Sequence, residues 1–273
     1  MKQRFTHRSF LRAAAALVLT AASSVTLAHD SWFVRLGGLS GAEPLLALGT
    51  GNQFPVHEFS IDPKFLAREG CRWSDGQTRP MRAVQVASTA LVLRPGQPGA
   101  TACWAQLQPF DVEVELDKVD LYLAEINATP ALRATWAAMR LRGVPWRERY
   151  TKHARIELQA GPGHPGAADP ADMAVDIRRV SGPEPGNTQA GETLVFELRR
   201  NGRPLVGMQL ELRHATSSAG VWHVTDSQGR VIVQPAAAGE WLLRGVDLRL
   251  STGRPDWWES DFITLAFAVL PRP

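Results

Sequence analysis

The residues best suited to chemistry in this 273-residue chain are histidines with carboxylates beside them. His29 is followed by Asp30, and His57 by Glu58. Imidazole nitrogen and carboxylate oxygen are reasonable ligands for a borderline divalent ion such as nickel, cobalt or copper. Neighbours on a strand point to opposite faces, so His57 and Glu58 act together only if their segment is an irregular loop. Gly49, Gly51 and Pro55 favour such a loop, which could equally be an ordinary surface feature.

His29 gains its interest from what precedes it. Lys2, Arg4, Arg8 and Arg12 form a basic start, Ala13 to Ala22 is mostly apolar, and Thr26-Leu27-Ala28 ends in small residues, the order of a secretory signal peptide. The apolar run is about half of the ~20 residues that a membrane span requires. Cleavage after Ala28 would send the protein to a periplasm, with no stable membrane span left after cleavage. The general secretory route is favoured, because His7 replaces the first arginine of a twin-arginine pattern. Cleavage would also make His29 the first residue, so that its α-amine and imidazole could chelate one metal ion. Neutral imidazole is the binding form, so affinity is expected to fall below pH ~6.5.

The chain's formal charge of +3 changes meaning once these cations are located. Without residues 1–28 the balance is 26 basic against 27 acidic residues, which offers no electrostatic case for nucleic acid. Cys71 and Cys103 could form a disulfide in an oxidising compartment or remain two buried thiols. His153 lies among Arg149, Lys152 and Arg155, a setting that disfavours a cation and suits an anion or an internal carboxylate. His164, His214 and His223 read as linker or structural residues. Trp257 and Trp258, flanked by Asp256, Glu259 and Asp261, could bind a glycan or protein partner, or pack at a domain junction.

Short alternating or apolar runs, broken by Gly and Pro, must position these residues. Pro44 to Gly51, Ala83 to Val86, Ala90 to Leu93 and Asp111 to Leu116 read as strands. Val119 to His153 reads as helical, with Thr129-Pro130 as N-cap and first helical residue and Gly143 as a stop. After a Gly/Pro-rich stretch, strands return at Thr193–Leu198, Gln209–Arg213, Trp222–Thr225, Arg230–Val233, Trp241–Leu250 and Phe262–Leu270. Asn201-Gly202 suits a hairpin turn, and Asp226 to Gly229 a second turn. The expected fold is mostly β: two β-sandwich domains, the C-terminal one immunoglobulin-like or transthyretin-like, with a short helical insertion. The expected division is a signal peptide at 1–28, an N-terminal β-rich domain at 29–160, a linker or long loop at 161–174 and a C-terminal sandwich at 175–273.

No G-x-S-x-G, phosphate-binding loop or dinucleotide fingerprint occurs, so ordinary catalytic templates get no support. The order of His29-Asp-Ser-Trp32, Gly49-Thr-Gly51, Phe54-Pro55, the Arg149 to Ala154 segment and Trp258-Glu-Ser260 resembles a known family. So do the phrases Gly202-Arg-Pro-Leu205, Asp226-Ser-Gln-Gly-Arg230 and Gly239-Glu-Trp-Leu-Leu-Arg244. It is the periplasmic domain-of-unknown-function family often described as the periplasmic component of cobalt or nickel uptake systems. The resemblance implies two β-rich domains, export, no enzymatic activity, transition-metal handling and an inner-membrane metal transporter as partner, with His29 as mature N-terminus and a candidate ligand. His29 and His57 are thus the main candidate ligands, and Asp30 and Glu58 weaker ones. The alternatives are a non-catalytic envelope protein that binds a protein or glycan through its sandwich and exposed aromatics, and a copper oxygenase built on the terminal histidine.

Overall fold

The computed structural model describes residues 29–37, 45–96, 99–158 and 170–273. The expected signal peptide at 1–28, His164 and most of the expected 161–174 linker lie outside the described residues.

The N-terminal sheet contains β1 (Asp30–Leu36), β2 (Leu45–Gly51), β3 (Phe59–Ser60), β6 (Arg82–Val86) and β7 (Leu91–Arg94), in the order β1-β2-β7-β6 with β3 beside β2. The central sheet contains β4 (Leu66–Trp73), β5 (Thr78–Arg79), β8 (Ala100–Leu107), β9 (Phe110–Val114), β10 (Trp146–Glu157), β14 (Gln209–His214), β15 (Val221–Val224), β17 (Gly239–Leu250) and β18 (Trp258–Val269). Its order is β15-β14-β17-β18-β10-β8-β4-β5, with β9 beside β10. The C-terminal sheet contains β11 (Val175–Ser181), β12 (Leu194–Arg200), β13 (Arg203–Pro204) and β16 (Arg230–Val233).

Alternation along the central strands explains the layering, because successive side chains leave opposite faces. Ile263, Leu265, Phe267 and Val269 of β18 pack with Ile177, Phe196 and Leu198 of the C-terminal sheet. Ala266 of β18, with Leu242 of β17 and Ala154 and Ile156 of β10, instead meets Trp32, Phe33, Leu46 and Leu48 of the N-terminal sheet. The expected mostly-β sandwich architecture with a short helical insertion is present, and its two sandwiches share the central layer. The expected boundary at 161–174 therefore does not divide the sheets. β10, from before it, pairs in parallel with β18, from Glu148↔Trp258 to Ile156↔Ala266.

The helical insertion is shorter than the sequence suggested. It comprises α1 (Leu116–Glu125) and α2 (Pro130–Leu141). Thr129 caps α2, its side chain accepting a hydrogen bond from Leu132 N at 3.3 Å, and Gly143 ends the segment at φ 73°. Residues 146–153, expected to be helical, belong to β10. From His153 to Glu157 this strand is buried on both faces, and its polar residues find partners on distant segments: Glu148 accepts from Tyr122, Arg149 donates to Asp111 and Arg155 donates to Asp176. Its polar residues therefore hid its buried character from a periodicity argument.

The insertion packs on the same face of the central sheet as the N-terminal sheet. Val119, Tyr122, Leu123, Trp136 and Met139 enclose Trp146, Val246, Leu248, Trp258 and Phe262. Trp258 stacks on Trp146, with ring centroids 4.8 Å apart and planes at 14°. It is fully buried, so its expected role at a partner-binding surface is ruled out by packing. Trp257 remains half-buried beneath the Arg254 guanidinium, 4.7 Å from its ring centroid.

Cys71 and Cys103 form the disulfide that the sequence allowed. They face each other across β4 and β8 and are fully buried.

A candidate site at the N-terminal histidine

β1 brings the first described residues into the interface between the N-terminal and central sheets. Asp30 pairs with Gly51 at one end of the β1–β2 ladder, and Thr264 Oγ1 of β18 donates to Ser31 O at 2.6 Å. The result is that His29 and Asp30 are both buried, at 7% and 2% exposure.

The loop after β2 supplies the next group. Asn52 N donates to Glu58 Oε1 at 3.1 Å, and Glu58 N donates to Thr50 O at 2.8 Å. These contacts hold Glu58 Oε2 3.3 Å from His29 Nε2. The contact is close enough for an ion pair if His29 is protonated, yet it is poorly directed as a hydrogen bond. Phe59 covers the imidazole, with ring centroids 5.2 Å apart. Burial holds His29 below the usual imidazole pKa; Glu58 opposes that shift and Lys152 reinforces it.

His57 goes elsewhere. Its ring stacks on Trp32 at a centroid distance of 5.6 Å, and its Nε2 lies 3.1 Å from Trp32 O. A carbonyl only accepts, so Nε2 must carry the hydrogen. That tautomer leaves Nε2 unable to bind metal. The structure thus brings together His29, Asp30 and Glu58 of the predicted ligands and turns His57 inward.

The central sheet places charges beneath Asp30. Arg244 Nε of β17 lies 2.9 Å from Asp30 Oδ2 and 3.6 Å from Glu211 Oε2. The first distance makes an ion pair, although the N–H is not aimed well enough for a hydrogen bond. Arg244 Nη2 donates to Glu125 O at 3.2 Å, and Arg213 Nη2 donates to Glu211 Oε2 at 2.7 Å. Asp30 Oδ1 is buried without a hydrogen-bond partner. Burial pushes the Asp30 carboxyl above its usual pKa, against the pull of Arg244 and Lys152.

Lys152 of β10 acts electrostatically on both His29 and Asp30. Its Nζ sits 5.6 Å from the Tyr150 ring centroid, and among the described residues no carboxylate stands within ion-pair distance of it. Burial lowers its pKa to about 8, with Asp30 opposing the shift. Lys152 is part-buried, and an ammonium loses hydration even on partial burial. His153, the next residue, leaves the opposite face; its Nδ1 is 3.1 Å from Phe262 O and its Nε2 3.9 Å from Asp261 Oδ1.

No protein-family model, curated protein or solved structure matches this chain. Among the described residues, no group of three or more His, Cys, Asp or Glu side chains is arranged to hold a metal ion, and no helix is long and apolar enough to cross a membrane. Sequence reasoning missed Lys152 and Arg244 as parts of this site. The only available signal was the cationic stretch from Arg149 to Arg155, whose partners are decided by sheet pairing.

Proposed function

We propose that this is an exported, non-enzymatic binding or accessory protein for a transition-metal ion, nickel or cobalt and alternatively copper, serving an inner-membrane metal transporter. In this reading, processing after Ala28 exposes the α-amine of His29. That amine and His29 Nδ1 chelate the ion, while Glu58, beside Nε2 on the other side of the ring, orients the imidazole. The absence of three grouped side-chain ligands among the described residues is compatible with it, because one donor is the main-chain amine. The reading is carried by the buried His29 imidazole with Glu58 Oε2 3.3 Å away, at the residue that the signal-peptide pattern makes terminal.

The test is mass spectrometry of the exported protein, followed by titration calorimetry with nickel, cobalt and copper. A chain starting at His29 should bind one of these ions tightly. Retaining Ala28 keeps the imidazole but turns the amine into an amide, and should weaken binding by at least about tenfold; His29→Ala should do the same. Lack of tight binding of all three ions by the correctly processed chain would overturn the proposal.

A further inference from the structure

The outer face of the C-terminal sheet carries more positive charge than its carboxylates offset. In register across β11, β12 and β16, Arg178 stands opposite Glu197 and Glu197 opposite Arg230, and Val195 with Ile232 forms a neighbouring pair on the same face. Arg178 Nε and Nη2 donate to Glu197 Oε2 at 3.2 and 2.7 Å. Arg199 Nε donates to the same oxygen at 2.9 Å, its Nη2 to Oε1 at 3.1 Å and its Nη1 to Gly202 O at 2.7 Å. Arg199 and Arg178 hold the Glu197 carboxyl at a pKa of about 2, so it stays charged. Arg230 Nε is left 3.6 Å from Glu197 Oε1, beyond hydrogen-bond distance, and its side chain is 43% exposed.

Arg178 by itself balances Glu197, so Arg199 and Arg230 remain as two surplus charges. Among the described residues, neither has another carboxylate within ion-pair distance. Asp176, opposite Arg199 in the ladder, is held through both oxygens by Arg155 Nη1, and Arg200 leaves the other face to pair with Asp247. Asp226, in the turn before β16, accepts from the main-chain N–H groups of Gln228 and Arg230. Gly229 of that turn packs on Pro204, next to the exposed Arg203, whose charge offsets that of Asp226. Beside this surplus lies apolar surface: Ile232 is 64% exposed and Val195 half-buried.

We propose that this face binds a soluble phosphate ester, with its phosphate on Arg230, beside Arg199, and its apolar body on Ile232 and Val195. Charge selects the anion. A phosphate ester carries about −1.5 to −2 charges at pH 7 and three acceptor oxygens, which match the surplus of two, whereas a carboxylate supplies half of that. The guanidinium fork suits phosphate geometry. A soluble ester is favoured over a lipid headgroup because the chain without residues 1–28 has 26 basic against 27 acidic residues, so the molecule as a whole is not drawn to an anionic bilayer. This inference is independent of the metal reading.

Titration of the chain beginning at His29 with phenyl phosphate, inorganic phosphate and phenol at low salt tests it, read by the NMR signal of Arg230 Nε–H. Phenyl phosphate should shift that signal saturably and bind several-fold more tightly than inorganic phosphate, and phenol should leave it unmoved. Arg230→Gln should weaken phenyl phosphate by about tenfold or more, the scale of a lost charge-assisted hydrogen bond, and Arg230→Lys should restore part of it. Ile232→Ser should bring phenyl phosphate down to the level of inorganic phosphate. Both side chains are exposed, and a thermal melt of each variant separates lost binding from lost fold. No saturable shift with phenyl phosphate, or full affinity in a folded Arg230→Gln protein, would overturn the inference. Pelleting of the protein with phosphatidylglycerol vesicles at the same salt would assign the face to a bilayer and overturn the soluble ester.

Discussion

Asp30 Oδ2 lies 2.9 Å from Arg244 Nε, so an ion pair joins the start of β1 to the middle of β17 across the sheet interface. Both residues are buried, and Arg244 also faces Glu211. Removing the guanidinium in Arg244→Met leaves a buried carboxylate unbalanced and should cost about 3–5 kcal/mol of stability. Asp30→Asn combined with Arg244→Met should cost less than the two single changes added together. Urea denaturation of the four proteins measures this coupling, and strict additivity would show that the pair contributes no interaction energy.

Lys152 should reduce stability at neutral pH. Its folded pKa is lowered to about 8 from 10.5, so the unfolded chain binds the extra proton between these values. Stability associated with this group is present above pH 10.5 and is lost as pH falls through about 8. Lys152→Met should consequently raise stability at pH 7 by about 1–3 kcal/mol, with the gain shrinking toward pH 10.5. Denaturant melts across that range would count against the assignment if the gain were independent of pH.

Glu148 provides a second buried carboxylate on the same face. It accepts hydrogen bonds from Tyr122 Oη at 2.9 Å and Trp146 Nε1 at 2.8 Å, and from Ser260 Oγ. Burial raises its pKa, while these donors pull it down. Tyr122→Phe removes one donor and should destabilise the fold by about 1.5–3 kcal/mol, the range for hydrogen bonds to charged groups. The penalty should diminish in acid, where the carboxyl becomes protonated. Thermal melts at neutral and acidic pH would detect the difference.

The Cys71–Cys103 disulfide closes a sequence separation of 32 residues. Its removal in a Cys71→Ala, Cys103→Ala double variant should lower stability by about 3 kcal/mol, chiefly by releasing the unfolded chain. Both sulfurs belong to buried residues, so mild reductant should act on the native protein only as fast as it opens. Rapid thiol release without unfolding would contradict that.

Local chemistry was legible in the sequence wherever neighbours in the chain decide structure. Thr129-Pro130 starts α2, Gly143 ends its turn, and Asn201-Gly202 forms the two-residue turn between β12 and β13 with positive φ at both residues. Alternation in Val112 to Val114 likewise marked a half-buried strand. The identity of His29, Asp30 and Glu58 as candidates with metal-ligand chemistry also came from residue type alone.

Tertiary structure decided what those residues face. The first part of β10 reads as helix because the partners of its polar groups, Tyr122 for Glu148 and Asp111 for Arg149, lie on other elements and its parallel partner β18 lies beyond the Gly/Pro-rich segment. That pairing puts Lys152 near His29 and Asp30, while the β17–β18 ladder presents Arg244 to Asp30. The same nonlocal packing buries Trp258 and turns His57 toward Trp32. Residue type and local spacing thus determined the β-rich class, the turns and the candidate ligands. The charge balance around those ligands depended on contacts between distant strands, which local periodicity does not encode.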